Sequence, residues 1–195
     1  MLEVVGVIEI RRGSGCYLTG TGMGSNLSIS LPVDSSPRQL LEVRKMLEPS
    51  IAHLCASRAT RTDLNSISEL LDQADHEITN PSQDSADRFL RMGLAFHREL
   101  ARVCRNAVLT SMISQIVDAE KHPLWLLVDT IQVRNHATRV QQVGEHREIL
   151  AAIIAGDAEE AAKTMIVHLG ALSIRIFGAG NAKPRVSRTR RVPQG

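Results

Sequence analysis

Residues 144–170 read GEHREILAAIIAGDAEEAAKTMIVHLG and predict two consecutive amphipathic helices. Gly156 is expected to end the first helix, and Asp157 with Glu160 three residues later has the spacing of a capping box that begins the second. The apolar face of the first helix carries His146 together with Ile149, Leu150, Ile153 and Ile154. The apolar face of the second carries His168 together with Ala161, Met165, Leu172 and Ile176. Both imidazoles are therefore predicted to point into the core.

The same helical periodicity recurs through most of the chain. Apolar stripes predict further helices over residues 40–54, 64–78, 84–104, 108–119 and 128–146, and a kink in the last of these is an alternative. Asn106 is predicted to cap the helix that follows it. Aromatic residues make up only 3% of the sequence, which favours packed helices over a β-sandwich. The pattern predicts six or seven helices and hence an all-α fold, an antiparallel bundle.

Composition divides the chain into four parts. Residues 1–19 predict a short β-hairpin, since apolar residues lead into a glycine-containing turn and return at Tyr17 and Leu18. Residues 20–36 have the Gly, Ser, Thr and Pro content of a linker, and residues 37–178 form the helical domain. Residues 179–195 form a tail that carries basic residues and no acidic one. This tail is predicted to be disordered, and contact with nucleic-acid phosphates is the alternative.

The cysteines and the apolar runs indicate the cellular compartment in which the protein is expected. Cys16, Cys55 and Cys104 have neither metal-ligand nor redox spacing, so we expect reduced thiols in a cytoplasmic protein. The sequence offers no basic start followed by a long apolar run, and its longest clearly apolar stretch is too short to cross a bilayer. No signal peptide and no membrane partner are therefore expected.

A third histidine, His97, lies on the apolar face of the helix predicted over residues 84–104. One histidine on such a face is usually a core residue, but three buried imidazoles on three helices are costly unless they share a partner. A divalent metal such as Zn, Ni or Mn would remove that cost and leave a coordination position for water or an anion. A metallo-hydrolase is the enzymatic alternative. The sequence places no general base for it, because Glu145 points to a different face of the helix from His146. We therefore expect the protein not to be an enzyme.

Three runs of sequence, in order, resemble a known family. LLEVRKMLEPSIAHLCASRAT (40–60), FHRELARVCRN (96–106) and EHREILAAIIAGDAEEAAKTMIVHL (145–169) look like the FCD effector-binding and dimerisation domain of GntR transcriptional regulators of the FadR subfamily. The likeness covers about residues 37–178. VIEIRRGSGCYL (7–18) is similar to the wing hairpin that ends the winged helix-turn-helix of that family. The resemblance implies a homodimeric DNA-binding regulator that senses a small organic acid inside its helical bundle.

The resemblance also implies a set of site residues. In metal-binding members an Asp one turn before a Phe-His pair joins three histidines around the metal, and these histidines map onto His97, His146 and His168. The Asp position falls on Gly93, so the implied site has three histidines and is completed by water or by the effector carboxylate. Arg44 is a candidate for binding that carboxylate, and an i,i+4 pair with Glu48 on the helix surface is the alternative.

The hairpin limits what this chain is expected to do with DNA. Arg11 and Arg12 correspond to wing residues, which contact the minor groove and phosphates and position a protein without reading sequence. The recognition helix of the family precedes the wing, whereas this chain starts within or just ahead of the hairpin. Either the start codon is placed too late or the polypeptide is a truncated regulator. Two functions follow: a ligand-responsive DNA-binding regulator, or an effector-binding or dimer-partner protein without autonomous DNA binding.

Overall fold

The structure is a computed structural model that describes residues 8–11, 15–18, 35–117 and 135–178. Two strands, β1 (Ile8–Arg11) and β2 (Gly15–Leu18), pair antiparallel with Ile8 opposite Leu18. The helices are α1 (Pro37–Arg58), α2 (Arg61–Thr79), α3 (Ser85–Val103), α4 (Ala107–Ile116), α5 (His136–Ile154) and α6 (Ala158–Phe177). The predicted all-α bundle is confirmed. None of the helices in these ranges is long and apolar enough to cross a membrane.

Several predicted parts lie outside the described residues. These are most of the linker predicted over residues 20–36, the tail predicted over residues 179–195, and Arg12 between the two strands. The division into four parts and the assignment of the strands to a DNA-binding wing therefore stay predictions.

Side-chain caps set the ends of the helices that carry the candidate site. The predicted cap of Asn106 is present, since its side chain accepts the backbone N–H groups of Val108 and Leu109. The predicted capping box at α6 is half formed: Asp157 accepts the backbone N–H of Glu160, whose own carboxylate binds Lys163. Gly156 links α5 to α6 with a φ of 71°, a backbone conformation that glycine adopts without steric cost. The link between the two helices that carry His146 and His168 is therefore short and closely defined.

The start of α5 differs from the prediction. Residues 128–146 were predicted to form a helical segment, with a kink as an alternative, and Asn135 within this segment has an extended backbone with φ −80° and ψ 121°. Its side chain accepts the backbone N–H groups of Ala137 and Thr138, which makes Asn135 the N-cap. The apolar pattern could not locate this start, because a capping asparagine interrupts the backbone without interrupting the spacing of apolar residues. Similarly, α4 ends at Ile116, within the segment predicted over residues 108–119.

The helices pack so that four of them meet around one interior region. Helix α1 lies along α6 and also contacts α3 and α5, while α2 packs on α3 and α5. Large side chains fill the core, among them Leu41, Ile51, Ile67, Leu71, Phe89, Phe96, Leu100, Ile113, Ile149 and Met165. Because α1, α3, α5 and α6 converge, polar side chains on their inner faces are brought together.

The buried face of α1 is rotated from the predicted stripe, which ran from Leu40 to Leu54 and placed Arg44 and Glu48 on a flank. Arg44 and Glu48 are each only 2% exposed, on the same face as Leu41, Ile51 and Cys55. The predicted surface pair is therefore wrong in its location: the ion pair exists, but it is buried. A guanidinium and a carboxylate in contact lower each other's desolvation cost, which allows both into the interior.

The two cysteines whose side chains are described are free and buried. The Sγ atom of Cys55 donates to the carbonyl of Leu100, and that of Cys104 donates to the carbonyl of Ala101. Burial raises the pKa of the Cys55 thiol to about 12, which keeps it protonated and unreactive. These thiols serve as core side chains.

Candidate functional site

Three helices bring one histidine each to a common point. His97 comes from α3, His146 from α5 and His168 from α6, with exposures of 4%, 2% and 1%. Each offers a ring nitrogen, and these three nitrogens lie within 4.8 Å of one another. The Nε2 atoms of His146 and His168 are 3.3 Å apart. The structure therefore assembles the three predicted histidines into one buried cluster.

The spacing fits a metal ion. Two imidazole nitrogens on a tetrahedral Zn²⁺ at 2.0–2.1 Å stand about 3.4 Å apart, close to the separation of the His146 and His168 Nε2 atoms. The same separation fits a hydrogen bond between these two nitrogens when one of them carries a proton. Geometry thus permits both occupants, a cation or a shared proton.

Burial keeps the imidazoles neutral, as metal binding requires. Burial lowers the pKa of His97 to about 4, although the neighbouring Glu48 carboxylate opposes the effect. Burial and the proximity of His168 and His97 hold the pKa of His146 well below its usual value. Burial also lowers the pKa of His168, against the opposing effect of Glu145.

A buried carboxylate faces His97 from helix α1. Glu48 Oε2 lies 2.6 Å from His97 Nδ1, and Arg44 binds the other oxygen of Glu48. Burial alone would raise the pKa of Glu48, but Arg44 and His97 lower it below its usual range. Two lone pairs at 2.6 Å would repel each other, so the contact requires a proton, which the ionised Glu48 leaves on Nδ1. The Nε2 atom of His97 then retains its lone pair.

A second carboxylate faces His168 from helix α5. Glu145 Oε2 lies 2.7 Å from His168 Nδ1, and Arg175 donates to both Glu145 oxygens at 2.7 and 2.9 Å. Burial raises the pKa of Glu145, yet these hydrogen bonds outweigh it and bring that pKa to about 2. Carboxylates that bind the Nδ1–H of a histidine orient the ring and make Nε2 a better metal ligand. His168 has this support, whereas the Glu48 carboxylate lies close to His97 Nδ1 without the alignment of a hydrogen bond.

Gly93 lies beside the cluster, on α3 one turn before His97. A Cβ atom at this position would be 3.4 Å from Gln142 Nε2 and 3.9 Å from His146 Cε1. A side chain at residue 93 would therefore reach the edge of the His146 ring that carries its nitrogens. The position to which the family's Asp ligand maps is next to the histidines in space.

The other predicted site residues divide into those near the cluster and those away from it. Arg44 is close, because it binds Glu48, whose other carboxylate oxygen lies 2.6 Å from His97 Nδ1. Arg11 ends strand β1, and Arg12 lies outside the described residues.

Sequence reasoning missed Glu48, Glu145 and Gln142 as neighbours of the histidines. One signal was available for Glu48: Leu41, Arg44, Glu48, Ile51 and Cys55 follow the alternating three-and-four spacing of one buried helix face. Glu145 gave no such signal. It points away from the inner face of α5, as predicted, and reaches His168 sideways across the contact with α6.

Comparison with known proteins agrees with the resemblance seen in the sequence. A family model described as the FCD domain matches residues 39–171. The Uxu operon transcriptional regulator of Escherichia coli K12 is 30% identical over 189 residues, which cover 93% of this chain and 70% of that protein. The galactonate operon transcriptional repressor of Escherichia coli K12 is 29% identical over 174 residues, covering 82% and 71%. A solved structure of Streptococcus agalactiae GntR has 24% identity and a TM-score of 0.57, covering 89% of this chain and 76% of that one.

The family match extends over most of the chain and includes all three histidines and Gly93. The similar proteins are transcriptional regulators, a class without enzymatic activity, in agreement with the prediction. The solved structure shares the fold of the helical bundle. The chain belongs to the FCD-domain family of GntR/FadR-type transcriptional regulators.

Proposed function

We propose that this chain is a ligand-responsive regulator whose bundle holds a divalent metal through His97, His146 and His168 and senses a small organic acid there. The observation that carries the proposal is the trio of buried neutral imidazoles, one of them hydrogen-bonded to a carboxylate at Nδ1 and another within 2.6 Å of one. A divalent cation held by these nitrogens would supply a positive centre to which a carboxylate can bind. Zn, Ni and Mn are the candidate ions.

Arg44 is proposed to bind the acid. Its guanidinium is buried beside the histidine cluster, and guanidinium groups bind carboxylates through paired hydrogen bonds. One similar protein is named for the galactonate operon, and galactonate is a small hydroxylated carboxylate. A compound of this class would match both the positive charge of Arg44 and the proposed cation.

Acid binding can regulate the protein only if the acid binds one arrangement of the protomers more tightly than another. We propose a homodimer in which acid binding changes the relation between protomers and hence between their DNA-contacting segments. Arg11 and Arg12 are the proposed contacts of this chain with DNA phosphates and the minor groove. A gel-shift titration at a fixed salt concentration, with and without acid, tests whether the chain binds DNA by itself.

The metal is tested by elemental analysis of protein purified without a His-tag. About one Zn, Ni or Mn ion per chain is expected, with loss of that ion in the His146→Ala variant. His136→Ala is the matched control, because His136 lies at the exposed start of the same helix and should leave metal content unchanged. Metal-free wild-type protein that also fails to bind added metal would overturn the proposal.

The carboxylate behind His168 gives a further prediction. Replacing Glu145 by Gln removes the charge that orients His168, and we expect metal affinity to fall by about 10–100-fold. Competition with a chromogenic chelator measures this affinity. Glu148→Gln makes the same change at an exposed position of α5 and should have no effect. Equal affinities in both variants would show that Glu145 does not support the metal.

A further inference from the structure

Helix α6 carries exposed apolar side chains on the side turned away from its histidine. Ile166, Val167 and Ile174 are 58%, 60% and 59% exposed, whereas His168 is buried. Gly170 lies four residues from both isoleucines, so these three residues follow one row along the helix surface. Together with Val167 they form the apolar ridge of α6. A contiguous exposed surface of this kind is typical of a site of protein association.

Helix α1 adds one side chain to the apolar ridge. Nδ1 of His53 lies 3.6 Å from Oε1 of Glu159, near the start of α6. The guanidinium of Arg38, at the start of α1, lies over the ring of Phe177 at the end of α6, so the two helices are antiparallel. Met46 precedes His53 by seven residues, which is two helical turns, and therefore lies alongside the ridge. It is 75% exposed.

Packing within the bundle does not explain the glycine at position 170. Glycine is unfavourable in a helix interior compared with alanine. The backbone of Gly170 is helical, so no left-handed conformation requires glycine there. A Cβ atom at this position would meet no atom of the described residues within 4 Å. The absence of a side chain instead allows a second backbone to approach α6 closely from outside.

The apolar ridge is complementary to itself. When two copies of α6 cross antiparallel at Gly170, a two-fold axis passes through this residue. Ile166 of each copy then faces Ile174 of the other, since both lie four residues from the axis. Glu159 and Lys163 are exposed ahead of the ridge and limit its apolar part to about two turns. A contact of this length is typical of two helices that cross at an angle.

We infer that the apolar ridge of α6, with Met46 beside it, is an interface for a second copy of this chain, and that the two α6 helices cross antiparallel at Gly170. This inference rests on the proposed homodimer and names its contact surface. The crossing point lies two residues from His168, on the same helix. A ligand that shifts α6 at the histidine cluster therefore also shifts the contact between the two copies.

Cysteine cross-linking tests the crossing point. The full chain carries Cys16→Ser as background, because the other two cysteines are buried. Gly170→Cys should form a disulfide-linked dimer with oxidised glutathione, since two cysteines beside a two-fold axis come within reach of a disulfide. Gly144→Cys is the matched control. This glycine of α5 is also open, but the exposed Glu148 lies four residues after it, and the variant should remain a single chain on a non-reducing gel.

Sedimentation equilibrium measures the strength of the contact. Ile166→Lys should raise the dimer dissociation constant by about tenfold or more, because the two-fold axis places the buried charge in the interface twice. Val140→Lys makes the same kind of change at a residue of α5 that is 50% exposed. This control should leave the dissociation constant unchanged.

The outcomes separate this surface from the proposed homodimer. A wild-type dimer that persists in Ile166→Lys, with no cross-link in Gly170→Cys, would mean that the surface is wrong and the homodimer stands. Wild-type protein that stays monomeric at high micromolar concentration would overturn both. A monomeric wild type that Ile166→Lys destabilises would show that another segment of the same chain covers the ridge, which also contradicts the inference.

Discussion

Replacing Glu48 by alanine is expected to lower the free energy of unfolding by about 3–5 kcal/mol, which is what removal of one partner from a buried ion pair costs. Glu48 and Arg44 are each 2% exposed, and Glu48 also faces Nδ1 of His97. The variant keeps the Arg44 guanidinium in the interior without its carboxylate partner. It also frees the Nδ1–H of His97, so two polar groups lose their charged neighbour at once.

Urea denaturation at fixed protein concentration measures this loss, and fixed concentration matters if the chain forms a dimer. Glu42→Ala is the matched control, because Glu42 is exposed on the same helix and such changes alter stability by only about 0.5 kcal/mol or less. The double replacement Arg44→Leu with Glu48→Leu should recover most of the lost stability, since it removes both charges. A Glu48→Ala variant as stable as Glu42→Ala would contradict the assignment of a buried, ionised Glu48.

Phe96→Ala is the second change with a large expected effect. Phe96 is fully buried and stacks on His146, with ring centroids 4.2 Å apart and planes 16° from parallel. Its edge also contacts the ring of His97. Truncation of such a residue costs about 3–5 kcal/mol of stability through lost contacts and the cavity that remains. It should also weaken metal binding, because the His146 ring loses the surface that fixes its orientation.

Phe89→Ala separates these two effects. Phe89 is also buried on α3, but no ring contact between it and the histidines occurs in the described residues. Its truncation should cost a similar amount of stability and leave the metal affinity of the folded protein unchanged. Calorimetric titration of both variants with Zn²⁺, at a temperature where each is folded, measures the difference. Equal metal affinities would show that Phe96 supports the core alone.

The sequence allowed the bundle and the inward direction of the three histidines to be predicted, because both follow from helical periodicity. His97, His146 and His168 each continue an apolar face, and a residue on such a face points inward wherever the helix packs. That the three inward directions meet at one point is a property of helix packing. The distance between His146 and His168 depends on the short turn at Gly156 and on the crossing of α5 with α6.

The surroundings of the histidines were harder to predict, since charged residues on a helix are usually exposed. Glu48 and Arg44 are buried because each neutralises the other, a property of the pair that the hydrophobicity of either residue does not reveal. Gln142 becomes a neighbour of Gly93 only when α5 packs against α3. The start of α5 at Asn135 was missed for a local reason, since a cap leaves the apolar spacing intact.

The histidines belong to helices that begin at Ser85, His136 and Ala158, so the cluster exists only when the whole bundle is folded. An unfolded chain cannot present the three nitrogens together, and any ligand held by all three binds the native state alone. At 100 times its dissociation constant, such a ligand would add about 2.7 kcal/mol to stability. In a cell, proteases remove unfolded chains, so ligand supply would set how much regulator survives as well as its state.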